Sequence, residues 1–502
     1  MQLKDIVSRL QPTKTEGSLE REVVGITYDS RRVTPGMVFV AIPGQNTDGH
    51  DFISSAIDRG AAAIICERNG FSSQRAAKIK VNSAREALAR ASAAFYGNPS
   101  TKLKMIGVTG TNGKTTVSFM VKHILETAGI RTGLIGTVRY EIGERMIPAH
   151  RTTPEALEIQ QMLASMLRSD CQACVMEVSS HALDQSRVSG IDFDVAIFTN
   201  LTQDHLDYHG TLDAYYTAKR KLFTGFESSS KQGASVINID DSYGGKLTGE
   251  SDAEVQYTYG VSPAARLKAV HIQLERTGTK FDVEIGERKV AVRIPLIGRH
   301  NVYNALAAIG AALSLKVEID DIVLALGSLP LVPGRLEAVD NGQPFGVYVD
   351  YAHTDDALQN VLTTLREITR GRLLLLFGCG GSRDTGKRAK MGAVAAQLAD
   401  YTFITSDNPR KEKPSAIAAQ IEEGFRSVRQ DQYVVELDRH AAIDEIIRMA
   451  KPGDMVLIAG KGHETYQEFE DTVVPFDDRV YAQEALELVG WKTRNASGED
   501  DR

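Results

Sequence analysis

Short apolar runs alternate with longer stretches of helical periodicity through most of this chain. In the middle of the chain, apolar runs at 106–109, 173–178 and 195–199 predict buried strands. Later in the chain the same pattern predicts strands at 345–350, 373–378, 401–405 and 455–459. Strands that alternate with helices favour parallel sheets with crossover helices. The pattern therefore predicts an α/β protein.

Two turn-rich segments, 96–100 and 331–335, predict the domain boundaries. They divide the chain into domains at 1–98, 99–333 and 334–502. The first domain has short predicted strands (23–28, 37–42 and 62–66) and alanine-rich helical stretches. A length of 502 residues is enough for about three domains, each with a core of its own. The polar tail 495–502 is expected to be frayed.

Composition narrows the possible partners and compartment. Hydrophobic residues make up 42% and charged residues 25%, as in ordinary globular proteins. The net charge of −7 argues against a broad basic face for nucleic acid. The N-terminus lacks the apolar core of a signal peptide, and no apolar window is long enough to span a membrane. We expect a cytoplasmic, monomeric protein without membrane insertion.

The four cysteines, at positions 66, 171, 174 and 379, give only weak evidence for chemistry. Cys171 and Cys174 form the single close pair, and one C-x-x-C is poor evidence for a metal or redox site. The pair runs into the predicted strand 173–178. We expect both thiols to be buried and structural.

A glycine-rich loop follows the strand at 106–109 and precedes a helical stretch that begins at Val117. This strand–loop–helix order is the context of a phosphate-binding loop, in which backbone N–H groups and a helix N-terminus surround phosphate oxygens. The loop residues are Gly110, Thr111, Asn112, Gly113, Lys114, Thr115 and Thr116. Lys114 is predicted to reach the β- and γ-phosphates, and Thr115 to bind Mg²⁺. The general pattern would place glycine where Val108 stands, and this contracted form is typical of amide-forming ligases that use ATP. The alternative is a glycine turn with a chance lysine.

Two further residues are candidate metal ligands. Glu177 ends a predicted strand, and His205 lies in the polar segment 199–207. A carboxylate at the carboxyl end of a strand beside a phosphate loop can hold Mg²⁺. Histidine is an uncommon Mg²⁺ ligand, so His205 by itself would equally be a hydrogen-bonded structural residue.

The linked motifs resemble those of the Mur ligases over nearly the whole chain. Besides the phosphate loop, these motifs are Thr-Thr-Pro at 152–154, Glu-Val-Ser-Ser-His at 177–181, the segment 200–207, Gly-Arg-His-Asn at 298–301, Pro-Gly-Arg at 333–335, Asp-Tyr-Ala-His-Thr at 350–354 and Gly-Lys-Gly-His-Glu at 460–464. Asp355 departs from the family, which usually has proline there. The resemblance implies an N-terminal domain for a UDP-linked substrate, a central ATP-binding domain and a Rossmann-like C-terminal domain for an amino acid.

Within the family, the motifs are most similar to the member that joins meso-diaminopimelate to UDP-N-acetylmuramoyl-L-alanyl-D-glutamate through an acyl phosphate. The resemblance implies ATP, two Mg²⁺ ions and a CO₂-derived carbamate on Lys219. It implies metal ligation by Thr115, Glu177, His205 and Lys219. Without it, Lys219 would be interpreted as a solvated helix lysine like Lys221. Partial burial would favour the neutral amine that reacts with CO₂.

The resemblance also assigns binding residues. Asn301, Arg335 and Asp350 join the phosphate loop in binding ATP. The residues implied for the UDP-linked substrate are Ser30, Thr152, Thr153, Ser179, Gln185 and Arg187. For Ser30 the alternative is a turn or cap residue, and for the two threonines it is a helix cap.

The segment 406–412 carries the specificity prediction. Arg410 can pair bidentately with the distal carboxylate of diaminopimelate, which L-lysine lacks. Asp407 and Glu464 offer charge for the distal ammonium group, and Asn408 can hydrogen-bond to either. Pro409, Arg383 and Gly460 complete the implied set. The alternative is a capped turn before a helix at 414–423.

Other functions remain open from sequence. A folylpolyglutamate synthetase has a similar loop but lacks the N-terminal domain and the 407–410 motif. Another Mur ligase could add L-lysine or D-Ala-D-Ala. Outside the ligases, a phosphate-loop NTPase that performs conformational work or a nucleotide-binding regulator would share the loop.

Overall fold

The computed structural model describes residues 1–44, 47–68, 73–226, 231, 233–275 and 277–491. Three β-sheets follow one another along the chain, each packed with its own helices, and a separate hairpin lies near the C-terminus. The tail at 495–502 lies outside the described residues. The three-domain division stays a prediction, with which the order of the sheets agrees.

The first sheet is small, and a helix of mostly small residues covers it. Its five strands have the order β1-β5-β4-β3-β2 and are parallel except for β1. Their bounds are β1 Lys14–Glu16, β2 Gly25–Thr27, β3 Met37–Val40, β4 Ala63–Cys66 and β5 Ala77–Lys80. The helices are α1 Leu3–Val7, α2 Ile53–Asp58 and α3 Ala84–Phe95. Alanines of α3 pack against branched residues such as Val38 and Ile65, so the helix lies close to the sheet.

The second sheet has eleven strands, in the order β16-β15-β14-β13-β12-β11-β6-β10-β7-β8-β9. Their bounds are β6 Lys104–Thr109, β7 Thr132–Ile135, β8 Arg139–Ile142, β9 Arg145–Pro148, β10 Ala173–Glu177, β11 Val195–Phe198, β12 Ala234–Asn238, β13 Val255–Gly260, β14 Leu267–Glu275, β15 Gly278–Ile285 and β16 Arg288–Ile294. The seven central strands, which in spatial order are β14, β13, β12, β11, β6, β10 and β7, are parallel. Antiparallel strands extend both edges, β15 and β16 at one and β8 and β9 at the other. The parallel core confirms the predicted α/β class.

Helices cover both faces of this sheet. Their bounds are α4 Lys114–Thr127, α5 Ala156–Arg168, α6 Ser180–Asp184, α7 Leu206–His209, α8 Leu212–Arg220, α9 Ser242–Thr248, α10 Arg299–Ser314 and α11 Ile319–Gly327. On one face α4 and α10 pack over Ile106, Val108 and Val236. Cys171 and Cys174 are buried in the core of the other face and are free thiols, as expected.

The third sheet has the order β17-β18-β22-β19-β20-β21 and is parallel except for β17. Its strands are β17 Glu337–Ala338, β18 Gly346–Asp350, β19 Leu373–Phe377, β20 Tyr401–Ile404, β21 Tyr433–Val435 and β22 Met455–Ala459. Its helices are α12 Asp355–Ile368, α13 Gly386–Leu398, α14 Pro414–Arg426, α15 Arg439–Met449 and α16 Asp478–Leu488. The hairpin consists of β23 Tyr466–Phe469 and β24 Thr472–Pro475.

The predicted strands of all three segments are present, with ends that differ by at most two residues. One helix boundary was predicted wrongly: α4 begins at Lys114 rather than at Val117, because Gly113 is already its N-cap. The antiparallel edges were not predicted. Among the described residues, no helix has the length and apolarity that a bilayer crossing requires.

Candidate active site

The loop after β6 has a backbone that requires glycine. Gly110 has φ +146° and Gly113 has φ +88°, values that side-chain-bearing residues rarely adopt. A Cβ added at Gly110 would overlap the Oγ1 atom of Thr199. Since Gly113 caps α4, the free N–H groups of the first helical turn border the loop. Lys114 Nζ donates to the carbonyl oxygens of Gly110, at 3.0 Å, and Thr111, at 2.8 Å. The ammonium group therefore lies on the loop, where an anion can meet it.

Glu177 is fixed beside this loop. Its Oε2 accepts hydrogen bonds from Thr115 Oγ1 (3.1 Å) and from Thr137 Oγ1 (2.9 Å), and its Oε1 accepts one from the Thr137 backbone N–H (2.9 Å). Thr115 also accepts a bond from Arg335 Nη2 at 3.2 Å. Thr115 and Glu177, two predicted metal ligands, are therefore in direct contact. Arg335, which contacts Thr115, lies in the segment that leads into the third sheet.

Lys219 is buried at the end of α8, with 1% exposure. Its Nζ donates to the same Gly110 carbonyl oxygen at 2.8 Å and lies 4.4 Å from the centroid of the Tyr215 ring. Burial, and then the nearby charge of Lys114, hold the pKa of the Lys219 ammonium well below its usual value. By contrast Lys221 is half exposed. The interpretation of Lys219 as a solvated helix lysine is therefore wrong.

His205 faces the same cavity from a left-handed backbone position, with φ +54°. Its Nε2 lies 3.5 Å from Asp204 Oδ2, and its ring centroid lies 4.8 Å from that of His181. Burial lowers the pKa of His205 to about 4, so the imidazole is neutral near pH 7. A neutral imidazole has the lone pair that a metal ligand needs.

One cavity of about 500 Å³ joins these residues. The second and third sheets both contribute to its walls, which include Asn301 on α10 together with Arg335 and Asp350. Asp350 accepts hydrogen bonds from the backbone N–H groups of Leu336 (2.7 Å) and Ala352 (2.8 Å), and burial raises its pKa. The Nε atom of Arg335 is buried without a hydrogen-bond partner in the described residues. That donor fits an anionic group in the cavity.

Divalent-metal chemistry can be tested against these donors. Among the described ranges, no group of three or more His, Cys, Asp and Glu side chains is placed to hold a metal ion. Mg²⁺, however, commonly binds through one or two carboxylates, hydroxyl groups and the phosphates of a nucleotide. Thr115 and Glu177 supply such a set beside the loop. The residues fit an ion that arrives with phosphate.

Five of the six residues assigned to the UDP-linked substrate form one network. Thr153 Oγ1 donates to the Glu177 carbonyl oxygen (2.8 Å) and lies 3.3 Å from Ser179 Oγ. Arg187 donates to the Thr153 carbonyl oxygen (2.9 Å) and to Gln185 Oε1 (2.8 Å). Thr152 joins the network through Thr137, at 3.0 Å. The two threonines do not cap α5, whose N-cap residue is Glu155.

Ser30 lies in the first sheet's domain, where it begins a 3-10 helix capped by Asp29. No hydrogen bond or ion pair in the part of the chain that the structure describes joins the Ser30 side chain to the network on the second sheet. The two regions do meet elsewhere, since Tyr28 donates to Glu158 at 2.8 Å and Arg85 donates to Gln185 at 3.4 Å.

A second cluster lies beyond the carboxyl ends of β19, β20 and β22. Asn408 Nδ2 donates to Glu464 Oε2 at 2.8 Å, and the Asn408 carbonyl oxygen accepts from the Gly381 N–H at 2.9 Å. Gly460 has φ +109°, and an added Cβ would lie 2.7 Å from Asp407 Oδ2. Arg410 donates from Nε to Glu468 Oε2 at 2.8 Å. Burial raises the pKa of Glu464.

The predicted residues of this cluster therefore come together, with Arg383 in the neighbouring loop after Ser382. The helix expected at 414–423 is present as α14, which continues to Arg426. Its N-cap is Lys413 and no side chain caps it, so the alternative of a capped turn is wrong, and the amino-acid site stays a prediction.

One residue at each cluster was missed by the sequence analysis. Asp356, on α12, accepts hydrogen bonds from Asn112 Nδ2 (2.7 Å) and from Thr202 Oγ1 (3.3 Å), and so links the third sheet's domain to the phosphate loop. Lys461 is fully buried between Asn408 and Glu464. Lys461 lies in the Gly-Lys-Gly-His-Glu motif directly after the predicted strand 455–459, and this position at a strand end could have indicated it. No sequence signal indicated Asp356.

Comparisons with known proteins agree with this geometry. Residues 108–312 match the Mur ligase middle domain, residues 334–462 match the Mur ligase glutamate ligase domain, and residues 22–96 match the Mur ligase family catalytic domain. Two UDP-N-acetylmuramoyl-L-alanyl-D-glutamate--2,6-diaminopimelate ligases are similar over most of their length. That of Syntrophomonas wolfei is 44% identical over 97% of this chain and 99% of its own. That of Solibacter usitatus is 45% identical over 94% of this chain and 95% of its own.

Solved structures share the fold. A structure of a ligase of the same name superimposes with a TM-score of 0.72 at 32% identity, covering 97% of this chain and 99% of that one. The folylpolyglutamate synthase of Mycobacterium tuberculosis has a TM-score of 0.61 at 18% identity, covering 82% of this chain and 96% of that one, a likeness of fold alone.

Proposed function

The chain belongs to the Mur ligase family, and we propose that it is the ATP-dependent ligase that joins meso-diaminopimelate to UDP-N-acetylmuramoyl-L-alanyl-D-glutamate. The observation that carries the proposal is the single cavity in which Lys114, Glu177 and Lys219 meet Arg335. Names of relatives at 44% and 45% identity support the choice of substrates. The reaction would supply precursors of peptidoglycan in the cytoplasm, with the protein acting as a monomer.

The reaction has two steps. A carboxylate oxygen of the UDP-linked dipeptide attacks the γ-phosphorus of ATP, the bond to ADP breaks, and an acyl phosphate forms. The amine nitrogen of diaminopimelate then attacks the acyl carbon and loses a proton, and phosphate leaves. Both partners of the first step are anions, so catalysis rests on positioning and on positive charge around the phosphates.

Different groups of residues bind the phosphates, the nucleotide and the sugar-peptide. Lys114 and the N–H groups around Gly110 and Gly113 hold the phosphates. Arg335 adds charge from the third sheet's domain, and Asp350 and Asn301 bind the nucleotide. The network of Thr152, Thr153, Ser179, Gln185 and Arg187 holds the sugar-peptide, with Ser30 contacting the uridine diphosphate. The bridge from Asp356 to Asn112 keeps the two domains together and helps to exclude water, which would hydrolyse an acyl phosphate.

Two Mg²⁺ ions would be held by Thr115, Glu177, His205 and a carboxylated Lys219. When bound, Mg²⁺ supplies the positive charge that offsets repulsion between carboxylate and triphosphate. The depressed pKa of Lys219 supports its modification, because only the neutral amine reacts with CO₂. The resulting carbamate is an anion suited to metal ligation.

The second cluster is the amino-acid site. Arg410 and Arg383 face the distal carboxylate of diaminopimelate, and Asp407 and Glu464 face its distal ammonium group. Asn408, Pro409 and Gly460 shape the pocket between them. Lys461 offsets one of the two acidic charges, so the acidic side of the pocket carries a net charge suited to one ammonium group.

Replacing Lys461 by methionine is expected to raise KM for diaminopimelate about tenfold, the size of one charge-assisted hydrogen bond. The substitution removes donors to Asn408 Oδ1 (3.2 Å) and Glu464 Oε2 (3.1 Å). Initial rates at saturating ATP measure the change. Lys451→Met, at an exposed lysine, is the matched control. A KM within twofold of the unmodified enzyme would remove Lys461 from amino-acid recognition.

Phosphate release tests the proposed reaction. Purified protein, ATP, Mg²⁺ and the UDP-linked dipeptide are combined with meso-diaminopimelate, with L-lysine or with no amine. Phosphate release is measured, and the mass of the UDP-linked product is determined by mass spectrometry. We expect release and a heavier product only with diaminopimelate. Release with lysine would keep the ligase and reject the specificity assigned to Arg410. Release without amine would indicate a hydrolase and reject the mechanism.

A further inference from the structure

The hairpin β23–β24 is joined to the loop that carries the specificity motif. The Arg410 backbone N–H donates to the Glu468 carbonyl oxygen at 2.9 Å, and the Glu470 N–H donates to the Arg410 carbonyl oxygen at 2.7 Å. These bonds add the loop to the hairpin as a short parallel pairing opposite Phe469. The hairpin is therefore part of the wall of the amino-acid site.

Side chains strengthen this attachment. Gln467 Nε2 donates to the Asp407 carbonyl oxygen at 3.0 Å, and the Glu468 N–H donates to Asn408 Oδ1 at 3.0 Å. Two successive residues of β23 thus hold two successive residues of the motif. The backbone of Glu468 is therefore held in place by hydrogen bonds at both its N–H and its carbonyl oxygen.

From that backbone, Glu468 contacts one edge of the Arg410 guanidinium group. Arg410 Nε donates to Glu468 Oε2 at 2.8 Å, and Arg410 Nη1 donates to the Gly381 carbonyl oxygen at 3.1 Å. A guanidinium group has five N–H donors, so these bonds leave one on Nη1 and two on Nη2. Those remaining donors form the terminal edge, which can still bind a carboxylate bidentately.

We propose that Glu468 is a positioning residue that orients Arg410 for the distal carboxylate of diaminopimelate, an inference that rests on the proposed function. The Glu468 carboxylate lies on the Nε edge, so substrate need not displace it. Without it, the arginine side chain would have to be ordered each time substrate binds. Its hydrogen-bond acceptor, rather than its charge, performs this role, because the charge by itself would weaken attraction for a second carboxylate.

Two substitutions separate the acceptor from the charge. Glu468→Ala removes both, and we expect KM for diaminopimelate to rise about tenfold while kcat and KM for ATP stay within about twofold. Glu468→Gln keeps an oxygen that can accept from Nε, and KM should stay within about twofold of the unmodified enzyme. Asp471→Ala, in the exposed turn of the same hairpin, is the matched control.

An unchanged KM in Glu468→Ala would overturn the proposal, since Glu468 would then have no effect on binding. A lowered KM would also overturn it, because Glu468 would then compete with the substrate carboxylate for Arg410. Equal impairment by Gln and Ala would also overturn it, because charge would then matter more than orientation. Failure of the unmodified enzyme to use diaminopimelate would instead reject the proposed function.

A crystal structure of the Glu468→Ala variant gives a readout that needs no turnover. We expect the Arg410 guanidinium group to leave its position or to occupy several. A guanidinium group that stays in place would overturn the proposal.

Discussion

Replacing Lys219 by alanine is expected to lower the rate of phosphate release about a thousandfold, or about 4 kcal/mol in barrier height. The variant loses the group proposed to become an anion beside the phosphate loop. Its fold should survive, because the lysine contributes one hydrogen bond, to the Gly110 carbonyl oxygen, at the cost of a buried charge. Single-turnover phosphate release and a thermal denaturation midpoint measure the two effects.

Lys221→Ala is the matched control, since Lys221 lies two residues further on and is half exposed. It should retain nearly full activity. Depletion of CO₂ and bicarbonate should reversibly slow the unmodified enzyme. Near-normal turnover by Lys219→Ala would remove Lys219 from the mechanism, whatever the effect of CO₂.

Replacing Arg410 by lysine is expected to raise KM for diaminopimelate by about 10- to 100-fold, the range that charged hydrogen bonds of about 1.5–3 kcal/mol imply. Lysine keeps the positive charge but loses the planar fork and the Nε donor that contacts Glu468. The preference for diaminopimelate over L-lysine as substrate should shrink by a similar factor. Free L-lysine has no distal carboxylate, so the substitution removes no contact from it.

Initial rates over a range of each amine measure both quantities. Arg426→Lys, at an exposed arginine on α14, is the control for the general effect of the substitution. An unchanged KM for diaminopimelate would show that Arg410 does not read the distal carboxylate. The amino-acid specificity would then have to come from other residues of the cluster, such as Arg383.

The strands and the phosphate loop were predictable because their signals are local. The apolar runs at 106–109 and 373–378 are bounded by polar or glycine-rich segments, and the glycines at 110 and 113 stand where the backbone needs positive φ. Burial of Lys219 was not a local signal. Its sequence neighbours Arg220 and Lys221 suggest a solvated helix end, and only the packing of α8 against the loop removes water from it.

Contacts between distant segments account for the rest. Asn112 and Asp356 are 244 positions apart, and their hydrogen bond depends on how two domains are placed. Glu468 lies 58 positions after Arg410 and meets it only because the hairpin pairs with the motif loop. A polar residue on a predicted helix or hairpin has many possible partners, and periodicity does not choose among them.

The Gly110 carbonyl oxygen accepts hydrogen bonds from two lysine side chains. It accepts Lys114 Nζ at 3.0 Å and Lys219 Nζ at 2.8 Å, so two ammonium groups repel each other at the place where a triphosphate must bind. This repulsion is relieved when Lys219 gives up its proton, and reaction of the neutral amine with CO₂ would replace that cation by an anion. The charge at Lys219 would then set the electrostatic environment of Lys114, so that one backbone oxygen couples the state of the carbamate to the residue proposed to hold the phosphates.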